Sequence, residues 1–210
     1  MVPWLYNAVK VMVRMLLLLL TSWQIKGGEN IPSRGQLIIV ANHLSLADPP
    51  VLGASVSRRA VFMAKEELFH YTFLGCIVRS LGAIPVRRGR MSRRSLGQAE
   101  QILAQGQALV LFPEGARSRS GQLRPAFPGP ALIALRSGAP VLPVGITGTE
   151  KIRGVAWLLR RPRITVNIGP PFHLTPVGNR LTKKELAECS NSIMGNIAKL
   201  LPLEYRGHYA

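Results

Sequence analysis

Apolar and polar positions along this chain repeat with two different periods, and the period switches many times. Residues 2–23, "VPWLYNAVKVMVRMLLLLLTSW", are strongly apolar up to Leu20, interrupted where Asn7, Lys10 and Arg14 recur at spacings of three and four. That spacing puts the three on one face of a helix. The turn-forming stretch "GGENIPSRG" follows. Short runs rich in Ile, Val and Ala then predict strands over 36–41, 60–64, 83–86, 108–112, 141–146 and 164–168. Helical periodicity predicts helices over 50–57, 66–80, 92–105 and 130–137 between them. Ser92 suits the cap of the third, whose inner face carries Leu96, Ala99, Ile102 and Leu103, with Gly106 as its stop. A last helix opens with Thr182 and Glu185 in capping-box spacing and carries the stripe Leu186, Ile193, Ile197 and Leu200. Strands alternating with helices predict an α/β fold: a single domain over 24–205, its mostly parallel central sheet flanked by helices, preceded by a helical segment over 1–23.

The leading segment changes that picture. Its uncharged run over 15–23 is too short to cross a bilayer. No small-residue cleavage site follows Leu20, which argues against a signal peptide. Trp4, Tyr6 and Trp23 suit headgroup depth, with Lys10 and Arg14 snorkelling. The segment therefore reads as an N-terminal helix lying in the membrane interface. A helix packed on the protein's own core has the same periodicity and stays open as the alternative.

Charge points to partners. The chain of 210 residues holds 27 Lys and Arg against 10 Asp and Glu, a formal net charge of +17. Such a surface attracts nucleic acid, anionic headgroups, phosphorylated substrates or acidic carrier proteins. Zinc spacing, an aromatic-rich strand motif and helix-turn-helix spacing are all lacking, which speaks against nucleic acid. Cys76 and Cys189 sit in apolar helical patterns without metal-ligand spacing and read as free thiols; no metal is expected.

The candidate chemistry begins in "QLIIVANHLSLADPPVL". An apolar strand stops at Asn42-His43, and Asp48 follows five residues after the histidine, ahead of Pro49 and Pro50. Asp48 is a natural N-cap, and the intervening loop is short enough to return its carboxylate to the imidazole. A carboxylate on one ring nitrogen leaves the other free to take a proton, which makes a general base. A buried structural histidine beside an ordinary cap fits the same residues. No serine lies in a G-x-S-x-G elbow, so a base here acts on a substrate hydroxyl. Three further stretches follow: "GAIPVRRG" with Arg87 and Arg88, "LFPEGARSRSG" with Glu114, Arg117 and Arg119, and "PVLPVGI". The forked guanidinium of arginine suits a phosphate. Arg87 and Arg117 are candidates to clamp one, with Glu114 orienting Arg117 or binding a glycerol hydroxyl. A solvated basic face and a structural ion pair are the plainer readings of the same residues.

These four stretches, in this order, resemble the four sequence blocks of the glycerolipid acyltransferases: "NHLSLAD", "GAIPVRR", "FPEGARS" and "VLPVGI". "GGENIP" and "FMAKEELF" strengthen the likeness to bacterial members, especially those that acylate 1-acylglycerol 3-phosphate. Ala116 and Pro128 depart from the usual pattern, and Pro128 removes a cation from a possible phosphate contact. The resemblance implies acyl transfer from acyl-CoA or acyl carrier protein to the sn-2 hydroxyl of lysophosphatidic acid, giving phosphatidic acid, without a cofactor. It implies His43 as base and Asp48 as its orienting acid. Arg87, Glu114, Gly115, Arg117 and, more weakly, Lys65 would bind the acceptor's phosphate and glycerol. Relatives that use other lyso-lipids or glycerol 3-phosphate leave the acceptor open. A peripheral or monotopic protein on the cytoplasmic face of the cell membrane is the implied location. A non-catalytic basic protein that binds membrane or nucleic acid is the rival of a different class. His70, His173 and His208 take no role.

Overall fold

Leu37–Ala41, five apolar residues without a charge, form the central strand β2, which is buried along its whole length. A strand hidden on both faces belongs in a parallel sheet covered by helices. The computed structural model describes residues 3–72, 75, 78, 79, 82–86, 92–175 and 182–210. Around β2 it places β1 (Ser22–Lys26), β3 (Ala60–Lys65), β4 (Ile84–Val86), β5 (Ala108–Leu111), β6 (Val141–Thr147) and β7 (Arg163–Ile168). The order across the sheet is β1-β7-β6-β2-β5-β3-β4, and every neighbouring pair is parallel except β6 with β7. This is the mostly parallel α/β sheet that the alternation predicts. β2 has β6 on one side and β5 on the other, so the strand order reverses there. At such a point a crevice opens beyond the carboxyl ends of the strands.

Alternation along β2 divides its side chains between two cores. Leu37, Ile39 and Ala41 face α1 (Pro3–Leu20) and α2 (Asp48–Ser55), through Leu17, Val51 and Leu52. Ile38 and Val40 face α3 (Arg93–Ala104), α4 (Gly129–Ser137) and the later α6 (Lys183–Ala198), through Leu103, Ile133 and Ile193. Each fully buried Leu or Ile contributes about 1.5–3 kcal/mol of transfer free energy. Two short helices are α5 (Trp157–Arg160) and α7 (Leu203–Arg206). The two predicted caps form: Ser92 accepts from the Ser95 amide, and Thr182 and Glu185 make a full capping box. Cys189 is a half-buried free thiol on α6, and Cys76 lies outside the described residues.

Three features differ from the sequence pattern. The first helix ends at Leu20 instead of running to residue 23, and Ser22–Lys26 is a strand. "SWQIK" has a mostly exposed face, so no buried stripe announces it; pairing with distant β7 makes it a strand. The predicted helix over 66–80 starts as a 3-10 turn, Glu66–His70, and its remainder lies partly outside the described residues. The third difference concerns the cations of α1, which do not snorkel. Lys10 Nζ donates to the Val56 carbonyl (2.6 Å) and Arg14 Nε to the Ala54 carbonyl (2.8 Å). Helix C-termini leave carbonyls without partners and carry partial negative charge, so the end of α2 draws both cations inward. The apolar face of α1, with Trp4, Val11, Met15, Leu18 and Leu19, is thereby turned to the outside.

Candidate active site

The site forms where β2 ends. Asn42 leaves the strand with its side chain buried and pairs with β6: Nδ2 donates to the Ile146 carbonyl (2.8 Å), and Oδ1 accepts from the Ile146 amide (2.7 Å). An amide side chain can satisfy a backbone donor and acceptor at once, so Asn42 continues the ladder after β2 has stopped. His43 follows at a point held by neighbours on both sides.

Asp48 is the first residue of α2 and not its cap; Ala47 occupies the cap position, without a side-chain cap bond. The chain turns at residues 46–47, and the Asp48 amide donates to the Ser45 carbonyl (3.2 Å). This turn aims the carboxylate back into the loop and away from the helix amides. Oδ2 accepts from the amides of Leu44 (2.6 Å) and Ser45 (2.7 Å) and lies 2.7 Å from His43 Nδ1. An ionised carboxylate only accepts, so in this pair Nδ1 is the donor and Asp48 the acceptor. The imidazole side chain is 16% exposed, enough for its edge to reach a bound molecule, whereas Asp48 is fully buried.

The rest of His43 is fastened by the "LFPEGARS" segment. Its amide donates to Glu114 Oε1 (3.0 Å), and its carbonyl accepts from the Ser118 amide (2.7 Å). The ring stacks on Phe112, with centroids 4.4 Å apart and planes inclined by 27°. Glu114 is buried, and its Oε2 accepts from the Arg124 amide (3.1 Å). Burial pushes its carboxyl up to about 7, against the opposing pull of the two amide donors. Glu114 thus holds backbone: it ties the histidine's main chain to the loop after β5.

The remaining candidates sit as follows. The Gly115 amide is already engaged with the Phe112 carbonyl (3.0 Å), and Gly115 adopts a positive φ of 63° against the Phe127 ring, a conformation that disfavours any side chain. Arg117 is exposed, one residue before the amide that holds the His43 carbonyl. Lys65 closes β3 and pairs with Glu67 (2.8 Å). Arg87 lies outside the described residues. Among the described residues no group of three or more His, Cys, Asp or Glu has a metal-binding arrangement.

Sequence reading missed Thr149. This residue follows β6, is fully buried, and its Oγ1 donates to Asp48 Oδ1 (2.5 Å). Gly148 makes the placement possible: its φ is 88°, and a Cβ there would lie 2.0 Å from the Arg163 carbonyl. Phe112 was missed too, although its position beside "PEG" was a usable signal. Nothing local marks Thr149, because its partner lies across the sheet.

Comparison with known proteins places this geometry in context. A family model described as Acyltransferase matches residues 22–147. A 1-acyl-sn-glycerol-3-phosphate acyltransferase of Borreliella burgdorferi is 33% identical over 130 residues, 60% of this chain and 51% of that protein. One from Streptococcus pneumoniae is 28% identical over 193 residues, 88% of this chain and 70% of that protein. The chain therefore spans about half the length of the Borreliella protein and more of the streptococcal one. The crystal structure of the 1-acyl-sn-glycerophosphate acyltransferase PlsC from Thermotoga maritima superposes with a TM-score of 0.70 at 28% identity, covering 90% of this chain and 76% of that one.

Proposed function

The chain belongs to the acyltransferase family, and from that premise we propose that it acylates the sn-2 hydroxyl of 1-acylglycerol 3-phosphate, giving phosphatidic acid. The observation that carries the reading is the His43–Asp48 pair at 2.7 Å, held beyond the carboxyl end of β2, where the strand order reverses. The names of the relatives support the acceptor.

In this mechanism Nε2 of His43 takes the proton of the acceptor hydroxyl as its oxygen attacks the carbonyl of an acyl thioester. A C–O bond forms and a tetrahedral oxyanion results. Its collapse breaks the C–S bond, and the imidazolium returns the proton to the departing thiolate. Asp48 keeps the ring in one tautomer and stabilises its charged form. The acceptor phosphate is assigned to Arg117 and to Arg87, which follows the last residue of β4, with Lys65 at the end of neighbouring β3. Glu114 serves as a positioning residue beneath His43. The donor is acyl-CoA or acyl carrier protein, both strongly anionic and suited to a chain of net charge +17.

The acceptor is an amphiphile at a bilayer surface, and the protein is assigned to the cytoplasmic membrane face as a peripheral or monotopic protein. The outward apolar face of α1 supports this, and among the described residues no helix is long and apolar enough to cross a membrane.

The test is acyl transfer by the purified protein from labelled acyl-CoA to a panel of lyso-acceptors, in the wild type and in His43→Ala. The expected result is preferential acylation of the phosphate-bearing lysolipid and a loss of about 10²–10⁴-fold in the variant. Equal rates in the two proteins would remove the mechanism, and preference for another acceptor would remove the substrate.

A further inference from the structure

The excursion between β6 and β7 starts at the catalytic pair and ends at the membrane helix. Thr149 at its beginning touches Asp48. At its far end the Pro162 carbonyl accepts from the Ser22 amide (3.0 Å), and Arg161 donates to the Leu18 carbonyl (3.3 Å) in the last turn of α1. The strand register explains this convergence. β7 runs antiparallel to β6, with Thr147 opposite Thr165, and β1 starts beside β7, with Ser22 opposite Arg163. The end of α1, the excursion and His43 therefore lie beyond the same end of the sheet's strands.

What this excursion exposes is unusual for a loop. Val155 is 80% exposed, Leu159 is 92% exposed, and Leu158 is also exposed, with Trp157 half-buried between them. Cations flank these side chains: Lys151 and Arg153 before, Arg160 and Arg161 after. The acidic residue nearby, Glu150, is occupied by the Tyr205 hydroxyl (2.9 Å). Arg161 adopts a left-handed φ of 40°, a conformation that costs a non-glycine residue energy, in order to end α5 and turn into β7. On the adjoining end of α1, Met15, Leu18 and Leu19 are exposed as well.

We propose that residues 152–161 form a second bilayer contact, continuous with α1, which inserts Val155, Leu158 and Leu159 among acyl chains and sets its arginines against anionic headgroups. The inference rests on the membrane-borne acceptor proposed above and adds that the crevice mouth is seated on the lipid by the segment leaving Thr149. Exposed aliphatics flanked by exposed cations match an anionic interface. They suit a second copy of this chain poorly, because self-association would bring the same cations face to face.

The test measures binding to vesicles of equal parts zwitterionic and anionic phospholipid for the wild type and for Val155→Ser/Leu159→Ser. Transfer to a short-chain, monomeric acceptor is measured in parallel without vesicles. The double variant is expected to bind vesicles about tenfold or more weakly and to acylate the soluble acceptor at the wild-type rate. Independently, a protein with Trp4→Phe and Trp23→Phe leaves Trp157 as its reporter, and lipids brominated on their acyl chains are expected to quench it. Unchanged vesicle binding together with unquenched Trp157 would overturn the proposal. So would a wild-type dimer that the double variant converts to monomer with vesicle binding intact. A wild type that binds vesicles in this way but acylates no acceptor would instead remove the enzymatic reading and leave the membrane contact standing.

Discussion

Thr149 Oγ1 donates to Asp48 Oδ1 across 2.5 Å, and both side chains are fully buried. The other carboxylate oxygen serves His43 and two loop amides, so the hydroxyl completes the hydrogen bonding of a buried anion. The excursion between β6 and β7 thereby takes part in orienting the imidazole.

Replacing Thr149 by Val keeps the volume and removes the donor. The expected result is a fall in kcat of about 10–100-fold with KM nearly unchanged, because the carboxylate is left short of a partner and free to rotate. Thr149→Ser is expected to restore most of the rate. Steady-state kinetics of the three proteins check this, and full activity in the Val variant would show that the loop amides alone hold Asp48.

Glu114 makes stability depend on pH. Burial raises its carboxyl to about 7 in the folded protein, against 4.5 as the ordinary value. The folded state thus binds the proton more tightly than the unfolded chain. The stabilisation from this group is complete below about pH 4.5 and is lost as pH rises through about 7, up to roughly 3 kcal/mol. Urea denaturation of the wild type and Glu114→Gln, at pH 5 and at pH 7.5, is expected to show the wild type losing ground relative to the variant at the higher pH. A constant difference between the two proteins would contradict the assignment.

Asn42→Ala leaves the buried amide and carbonyl of Ile146 without the partners that Asn42 gave them. Each unsatisfied buried group costs about 1–3 kcal/mol, so a destabilisation of about 2–6 kcal/mol is expected, with weaker transfer because β2 and β6 no longer close beneath His43. The denaturation midpoint measures it.

Lys10 and Arg14 give a prediction that separates packing from lipid binding. Burial and the neighbouring Arg14 hold the Lys10 ammonium below its usual range, as befits a cation turned toward protein. Lys10→Met/Arg14→Met is expected to destabilise the fold by about 1–3 kcal/mol, through the two carbonyls released at the end of α2. Vesicle binding is expected to persist, since the outward face of α1 is untouched. A loss of vesicle binding without loss of stability would mean that these cations meet headgroups after all.

The chain alone determined what depends on neighbours a few residues apart. The apolar run of β2, the caps at Ser92 and Thr182, the alternation of strands with helices and the short loop that returns Asp48 to His43 are local, and periodicity or turn chemistry reveals them. Tertiary structure decided the rest. Edge strand β1 exists through β7, Thr149 reaches Asp48 through strand register, Glu114 turns to the His43 backbone, and the α1 cations face the end of α2. In each of these the partner is remote along the chain, so its distance follows from how strands pair and helices pack, and no spacing between neighbouring residues encodes it.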